Sequence, residues 1–366
     1  MIKKHKKHKV PTMRRSSRIF LVDLNAGKQA ALVDFLHKSR DIIQYFVDLF
    51  WERKDFSSEL ADLPTVHRGC ERFDITTRLA QALAKQAKEA VRAVAEAERA
   101  GSRPQICNHT TTLYSHFVTV EKFDGSFDYA LKLGGAGVPK MIVPIKSTAH
   151  LNGLLGDGWA IGKTIRLGRR EDALFVDLIL EKARPPKKKS GSVVGMDSNY
   201  KNGLVFSDGQ TTGIGAYEKI ATFSRRQKNT HAEIKSLVGR ALKDIDWSKM
   251  KVLCIEDLKH VKRGTLGKFP RALNRRLSHW MYAYLAILIE QKCEDHGIRL
   301  ERKNPWKTSQ FCRECRKWDR RSRKGDEFVC VHCGFTDHAD HNAAKNLELL
   351  GLAGTYGLRS LQASLS

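Results

Sequence analysis

Residues 303–350 read KNPWKTSQFCRECRKWDRRSRKGDEFVCVHCGFTDHADHNAAKNLELL, and two kinds of chemistry stand side by side in them. Cys312 and Cys315 form one C-x2-C pair and Cys330 and Cys333 another, with fourteen residues between Cys315 and Cys330. Two knuckles so spaced bring four thiolates to one tetrahedral Zn2+. Because all four ligand positions are cysteine, none is left for water, so the expected zinc is structural and not catalytic. A redox dithiol is the competing reading of a CxxC pair, but redox motifs rarely come as two evenly matched pairs.

Past Cys333 and Gly334 the pattern becomes DHADHNAAKNLELL. Ala343, Ala344, Leu347 and Leu350 fall at helical spacing, and residues 337–342 supply helix-start types. An aspartate at such a start is either a helix N-cap or a metal-ligating carboxylate, and the second reading needs partner acids elsewhere.

Two upstream segments offer them. In SVVGMDSNYKNGLVFSDGQ a strand over residues 192–196 delivers Asp197 at its end, and a turn leads to a second strand over 203–207, closed by Asp208 and Gly209. In KVLCIEDL the period of two puts Val252, Cys254 and Glu256 on one strand face, with Leu253, Ile255 and Asp257 on the other. Glu256 thus ends an apolar face, where an acid is costly unless solvated or bound to a metal. Helical segments 217–245 and 271–296 separate these pieces. A strand Asp, a strand Glu and a helix Asp are what a two-metal phosphodiesterase requires, since two Mg2+ ions about 3.5–4 Å apart clamp the attacking and leaving oxygens. Their order, strand, hairpin, strand, predicts a ribonuclease-H-like fold.

Composition agrees with a polyanionic partner. Sixty-five Lys and Arg against forty Asp and Glu give the 366-residue chain a net charge of +25, and nucleic acid is the default expectation. The length implies two or three domains. No apolar run approaches the roughly 20 residues of a membrane span, and no apolar signal core opens the chain, so an intracellular protein with no membrane partner is expected. Cys70, Cys107, Cys254 and Cys293 are scattered, and no disulfides are expected.

From the start, MIKKHKKHKVPTMRR is a basic run read as disordered when alone, and RIFLVDL (residues 18–24) as a strand. Apolar residues from Leu32 to Phe50 repeat at helical period, as do those of the Ala-rich stretch 75–99, so residues 27–105 read as a small helical bundle. Short strands follow: TTLYSHFVTVEKF, YALKLGG, KMIVPIKS, KTIRLGRR and ALFVDLILEK, as in a small antiparallel barrel or sandwich. The strand near residue 18 can belong to this sheet, making the helices an insertion. RPPKKKSG, residues 184–191, reads as a stiff basic linker.

GMDSNYKNGLVFSDG, CIEDL and the four-cysteine ribbon followed by DHADHNAAKNL resemble, in this order, the split RuvC nuclease of the TnpB family, the transposon-encoded RNA-guided nucleases related to miniature type V CRISPR effectors. The resemblance covers about residues 190–350. It implies an α+β multidomain protein: a β-barrel wedge domain carrying an inserted helical recognition bundle, then a ribonuclease-H-like RuvC domain with a four-cysteine zinc ribbon. The corresponding expectation is a basic arm over 1–16, the wedge barrel over 17–26 and 106–183, the recognition helices over 27–105, and a linker over 184–191. The nuclease then takes 192–308 and 338–355, the ribbon 309–337 and a tail 356–366.

Carried over position by position, the resemblance implies that Asp197 bridges two catalytic Mg2+ ions, and that Glu256 and Asp340 each complete one ion's shell. Cys312, Cys315, Cys330 and Cys333 would hold the zinc. Lys201 and Asn202 match the family's K-N after the first acid, and Asn342, Ala343 and Ala344 its N-A-A. Asn199 stands where Gly is usual, His338 replaces an earlier acid with Asp337 one position off, and Arg316 occupies a first-knuckle position usually Gly. The implied partners are a guide RNA derived from the transposon end and double-stranded target DNA with its displaced strand, bound by a monomeric ribonucleoprotein. The implied reaction is RNA-guided DNA cleavage next to a short flanking motif. A CRISPR effector, an unguided nuclease and a non-cleaving regulator are the rival readings. Phosphate contacts are expected among residues 3–9, 187–189 and 320–324, with Trp306 in a core and Trp318 as a candidate for base stacking.

Overall fold

The first strand forms earlier than its apolar content suggests. In the computed structural model, which describes residues 11–97, 101–123, 125–199, 201–213, 230–258 and 282–363, β1 spans Thr12–Phe20 and pairs antiparallel with β7, Ala173–Ala183. Residues 12–16, expected in a disordered arm, are therefore strand; residues 3–9 lie outside the described residues. Alternation explains the difference. Met13, Ser17 and Ile19 point inward and are buried, while Arg14 and Arg18 point outward to Glu181 (2.9 Å) and Asp177 (2.7 and 2.9 Å) of β7. A basic composition hid a period of two.

The chain divides into two compact units, Met1–Ala183 and Arg184–Ser366. In the first, α1 (Ala26–Glu52), α2 (Leu63–Phe73) and α3 (Thr77–Ala95) run between β1 and β2 (His109–Leu113), so the helices are an excursion from a sheet ordered β1-β7-β6-β2, with β6 at Ala160–Arg170. The helix α2 escaped the sequence reading because it buries little, only Thr65, Val66 and Gly69. The stretch read as one strand, TTLYSHFVTVEKF, breaks at a turn in which Phe117 N–H donates to Tyr114 O (2.8 Å). That turn sends β2 to β6 and β3 (Val118–Lys122) to a second sheet with β4 (Tyr129–Leu133) and β5 (Met141–Ile145). Among the described residues the strands thus hydrogen-bond as sheets of four and three, and not as one closed barrel. A short helix, α4 (Ala149–Gly156), precedes β6.

The second unit is built on a five-stranded sheet ordered β10-β9-β8-β11-β12. Here β8 is Ser192–Asn199, β9 Gly203–Phe206, β10 Thr211–Thr212, β11 Met250–Glu256 and β12 Arg299–Lys303. Strand β9 is antiparallel to both neighbours, whereas β8, β11 and β12 run parallel. Of the helices expected at 217–245 and 271–296, the described parts are α5 (Thr230–Ala241) and α6 (Tyr282–Asp295). They pack Ile234, Val238, Leu285 and Ile289 on Val194, Met196, Leu253 and Ile255 of one sheet face. The opposite face takes α7, Ala339–Leu352, with Leu347 against Val252 and Cys254.

Helix α7 lies so close to the sheet that two glycines are required. A Cβ on Gly195 would fall 1.9 Å from Ala344 O, and one on Gly351 would fall 2.4 Å from Cys254 Sγ. Gly195→Ala therefore forces helix and strand apart, at a cost at or beyond the ~1–3 kcal/mol typical of overpacking. Gly239, in α5 with nothing within 4 Å of the added carbon, gives the control: Gly239→Ala gains about 0.5–1 kcal/mol. Thermal unfolding of the two variants should move in opposite directions.

Candidate functional site

The contacts of α7 set the site's geometry. Gly195 meets Ala344, and Gly351 meets Val193 and Cys254, so the helix runs antiparallel to β8 and β11. Stepping back from Ala344 to Asp340 covers about 6 Å of helix axis, and stepping from Gly195 to Asp197 covers about 6.6 Å of strand. Asp197 shares the face of Gly195, and Glu256 that of Cys254. In the parallel register Met196 lies opposite Ile255, which puts Asp197 beside Glu256. All three acids consequently converge where β8 and β11 end and α7 begins.

Asp340 and Asp197 are buried, at 2% and 8% exposure. The cap reading of Asp340 does not hold: His338 is the N-cap, its Nδ1 accepting from Asp340 N–H at 3.3 Å. Asp340 sits in the first turn, where the helix dipole favours a negative charge. Asn202 Nδ2 donates to its Oδ2 at 2.6 Å, and Arg323 Nη2 lies 3.6 Å from its Oδ1. Glu256 Oε1 accepts from Thr308 Oγ1 at 2.7 Å. Burial pushes the Glu256 carboxyl above the usual glutamate range and the Asp340 charge adds to this, while the Thr308 hydrogen bond and the Arg323 charge pull it back.

Among the described residues, the four cysteines are the group of three or more His, Cys, Asp or Glu side chains drawn close enough to hold an ion. The acids converge without closing to that degree. Like charges repel, and protein donors already engage Glu256 and Asp340: a hydroxyl the first, an amide and a guanidinium the second.

The cysteines fit a tetrahedral metal. Their sulfurs lie within 4.8 Å of one another, with Cys312 to Cys333 at 3.7 Å and Cys315 to Cys330 at 3.5 Å. Four sulfurs about 2.3 Å from one Zn2+ stand roughly 3.8 Å apart. Burial pushes the Cys312 thiol up to about 12 and also raises Cys315. Against the upward push of its own burial, Cys330 comes down to about 7, drawn by the His332 and Cys333 backbone N–H groups. Arg316 takes the left-handed conformation (φ 58°) that the usual glycine would, and Gly334 (φ 74°) does so in the second knuckle. A sheet of β13 (Arg323–Lys324), β14 (Glu327–Val329) and β15 (Thr336–His338) completes the ribbon and leads directly into α7.

The other sequence candidates divide. Lys201 pairs with Asp326 of the ribbon, beside Asn202. Asn342 is fully buried and donates to Phe311 O at 2.8 Å. Asp337 belongs to the ribbon, held by His341 at 3.0 Å and Arg313 at 3.5 Å. Two lysines of the 187–189 run are committed to carbonyls, Lys187 to Ile298 and Lys188 to Trp247 and Ser248. Trp306 packs with Phe311, Leu350 and Leu358 as expected, while Lys307 occupies a face of the half-exposed Trp318 ring. Two residues the sequence reading did not single out matter most: Thr308, four before Cys312, and Arg323, hidden within a run read as phosphate contacts.

Comparison with known proteins extends the picture. Residues 282–347 match the family model described as Cas12f1-like, TNB domain. A CRISPR-associated endodeoxyribonuclease Cas12f1 of Sulfoacidibacillus thermotolerans is 32% identical over 133 residues, 36% of this chain and 28% of that protein. The TnpB-like protein aq_aa05 of Aquifex aeolicus (strain VF5) is 25% identical over 259 residues, 57% of this chain and 84% of that protein. The chain thus spans little more than a quarter of the length of the Cas12f1 relatives it matches. A solved complex of Cas12f1 with sgRNA and target DNA shares the fold, with a TM-score of 0.62 at 13% identity over 92% of this chain and 99% of that one. The fold is of mixed α/β architecture and carries a four-cysteine cluster. The chain is thus similar to TnpB-like proteins and to miniature type V effectors, most directly over residues 282–347.

Because Glu256 is raised, the folded chain holds its proton more tightly than the unfolded chain, and metal-free stability falls as pH climbs from the ordinary glutamate range through the raised value. Glu256→Gln removes that dependence. Without divalent metal, calorimetry should show the variant melting above wild type at neutral pH, with the gap closing in acid.

Proposed function

We propose that the chain is an RNA-guided DNA endonuclease encoded by a transposon, cleaving target DNA beside a short flanking motif. One observation carries the reading: the close approach of α7 to β8 brings Asp197, Glu256 and Asp340 to one end of the sheet. The strand order β10-β9-β8-β11-β12, antiparallel in its first three strands and parallel in its last three, supports a ribonuclease-H-like RuvC domain split by the ribbon.

Asp197, Glu256 and Asp340 would hold two Mg2+ ions. Bound there, the ions would supply Lewis acidity and the activation of water. The chain's own residues arrange the rest. Asn202 fixes one oxygen of Asp340, Thr308 fixes one oxygen of Glu256, and Arg323 offers a cation that a phosphodiester oxygen can share. The first helical turn steadies the developing negative charge. Hydrolysis adds water across the phosphodiester and releases the 3′ oxygen as a hydroxyl. Cys312, Cys315, Cys330 and Cys333 would hold one Zn2+ whose role is to fold the ribbon that presents Arg323 and starts α7.

The net charge of +25 suits a ribonucleoprotein. In such a particle, here taken as one protein chain, a guide RNA from the transposon end pairs with the target strand and base pairing supplies sequence specificity. The similarity over 84% of the TnpB-like protein supports the transposon side. The 32% identity to a Cas12f1 favours a second reading, a miniature type V effector; neighbouring DNA with a repeat array would select it.

Expressed with its native flanking DNA, the protein should copurify with one discrete scaffold RNA ending in a variable segment. With that RNA it should cut matched DNA only when Mg2+ is present. Asp197→Ala should retain RNA and target binding while cleavage falls to background. Heterogeneous or absent RNA would overturn the guided reading, and cleavage undiminished in Asp197→Ala the assignment of the acids.

A further inference from the structure

The chain between β12 and the first zinc knuckle reaches the acid site by a route that neither metal centre explains. Thr308, 3% exposed, gives its hydroxyl to Glu256 Oε1 at 2.7 Å. The same oxygen lies 3.3 Å from Pro305 O, but a hydroxyl has one proton, and the shorter, charge-assisted bond takes it. The backbone around Thr308 is gripped from the other side by α7. Asn346 Nδ2 donates to the carbonyls of Thr308 and Phe311, both at 2.8 Å, and Asn342 Nδ2 donates to Phe311 O at 2.8 Å. Both asparagines are fully buried, one helical turn apart on one face, and each leaves its Oδ1 buried without a partner. An acceptor so buried and unpaired costs stability. Two of them in one helix indicate that the amides are kept for the carbonyls they hold and not for net stability.

We infer that Thr308 is a positioning residue for Glu256, and that Asn342 and Asn346 hold the segment from Thr308 to Phe311 so that the order of the zinc knuckle, which begins at Cys312, is transmitted to the carboxylate. This rests on the nuclease reading above. A carboxylate with one oxygen committed to a fixed donor turns its other oxygen in a fixed direction, which is how outer hydrogen bonds raise a site's metal affinity. Without the Thr308 hydroxyl, Glu256 is free to rotate away from Asp340, whose charge it faces.

The test is Mn2+ binding to the full, zinc-loaded chain by isothermal titration, with zinc content and melting temperature measured on each variant. Thr308→Val keeps the shape and removes the donor; it should weaken Mn2+ binding about 10–100-fold with zinc content unchanged. Thr308→Ser restores the donor and should bind as wild type does. If Glu256→Gln abolishes binding while Thr308→Val binds normally, the inference fails and the nuclease reading stands. If Thr308→Val and Thr308→Ser lose zinc and stability together, Thr308 is structural and the inference fails as well. Affinity unaffected by Glu256→Gln would remove both the inference and the site beneath it.

Discussion

The second unit depends on how closely a helix can lie on a strand. At Gly195 the backbone of α7 occupies the volume that any side chain would need, with Ala344 O 1.9 Å from where a Cβ would be. That contact fixes the height of the helix over the sheet, and its antiparallel direction fixes which end of the helix meets which end of β8. Asp197, two residues past Gly195, and Asp340, four before Ala344, are then brought together by the pitch of a strand and of a helix. Glu256 joins them through the parallel register of β11. No acid reaches the site on a loop, which gives the arrangement the precision of regular structure.

Gathering carboxylates at a buried end is electrostatically unfavourable, and the surrounding groups answer it individually. The first turn of α7 and Asn202 stabilise Asp340, Thr308 stabilises Glu256, and Arg323 lies near Asp340 while its charge also reaches Glu256. Two of these groups come from the ribbon region: Arg323 from its hairpin and Thr308 from the segment entering its first knuckle. A four-cysteine cluster separate from the acids thus still bears on them, since whatever orders the knuckles orders the donors. Lys201, bound to Asp326, ties the β8–β9 turn to the same hairpin.

Much of this was legible in the sequence because it is written in spacing. Cysteine intervals gave the four-cysteine cluster, a period of two put Glu256 at the end of an apolar face, and a period near 3.6 gave α7. What escaped was written in tertiary contact. Thr308 looks like any threonine before a CxxC, and only the fold brings its hydroxyl to Glu256. Arg323 sat in a run of cations whose members look alike, yet Arg321 bonds to Asp319 while Arg323 reaches Asp340. Lys187 and Lys188 stood in a run read as phosphate contacts, and only the fold shows them donating to backbone carbonyls. In the first unit, the basic residues of β1 masked its alternation, and a single turn at residues 114–117 redirected a strand from one sheet to another. Composition averages over neighbours and so misses what one turn or one face decides.

The central claim is that this helix and these strands build one divalent-metal site. Its most direct test is an anomalous-difference map from crystals of the chain soaked in Mn2+. The account predicts density bounded by Asp197, Glu256 and Asp340 and lost in Asp197→Ala. Mn2+ bound elsewhere, with those three carboxylates unliganded, would contradict it.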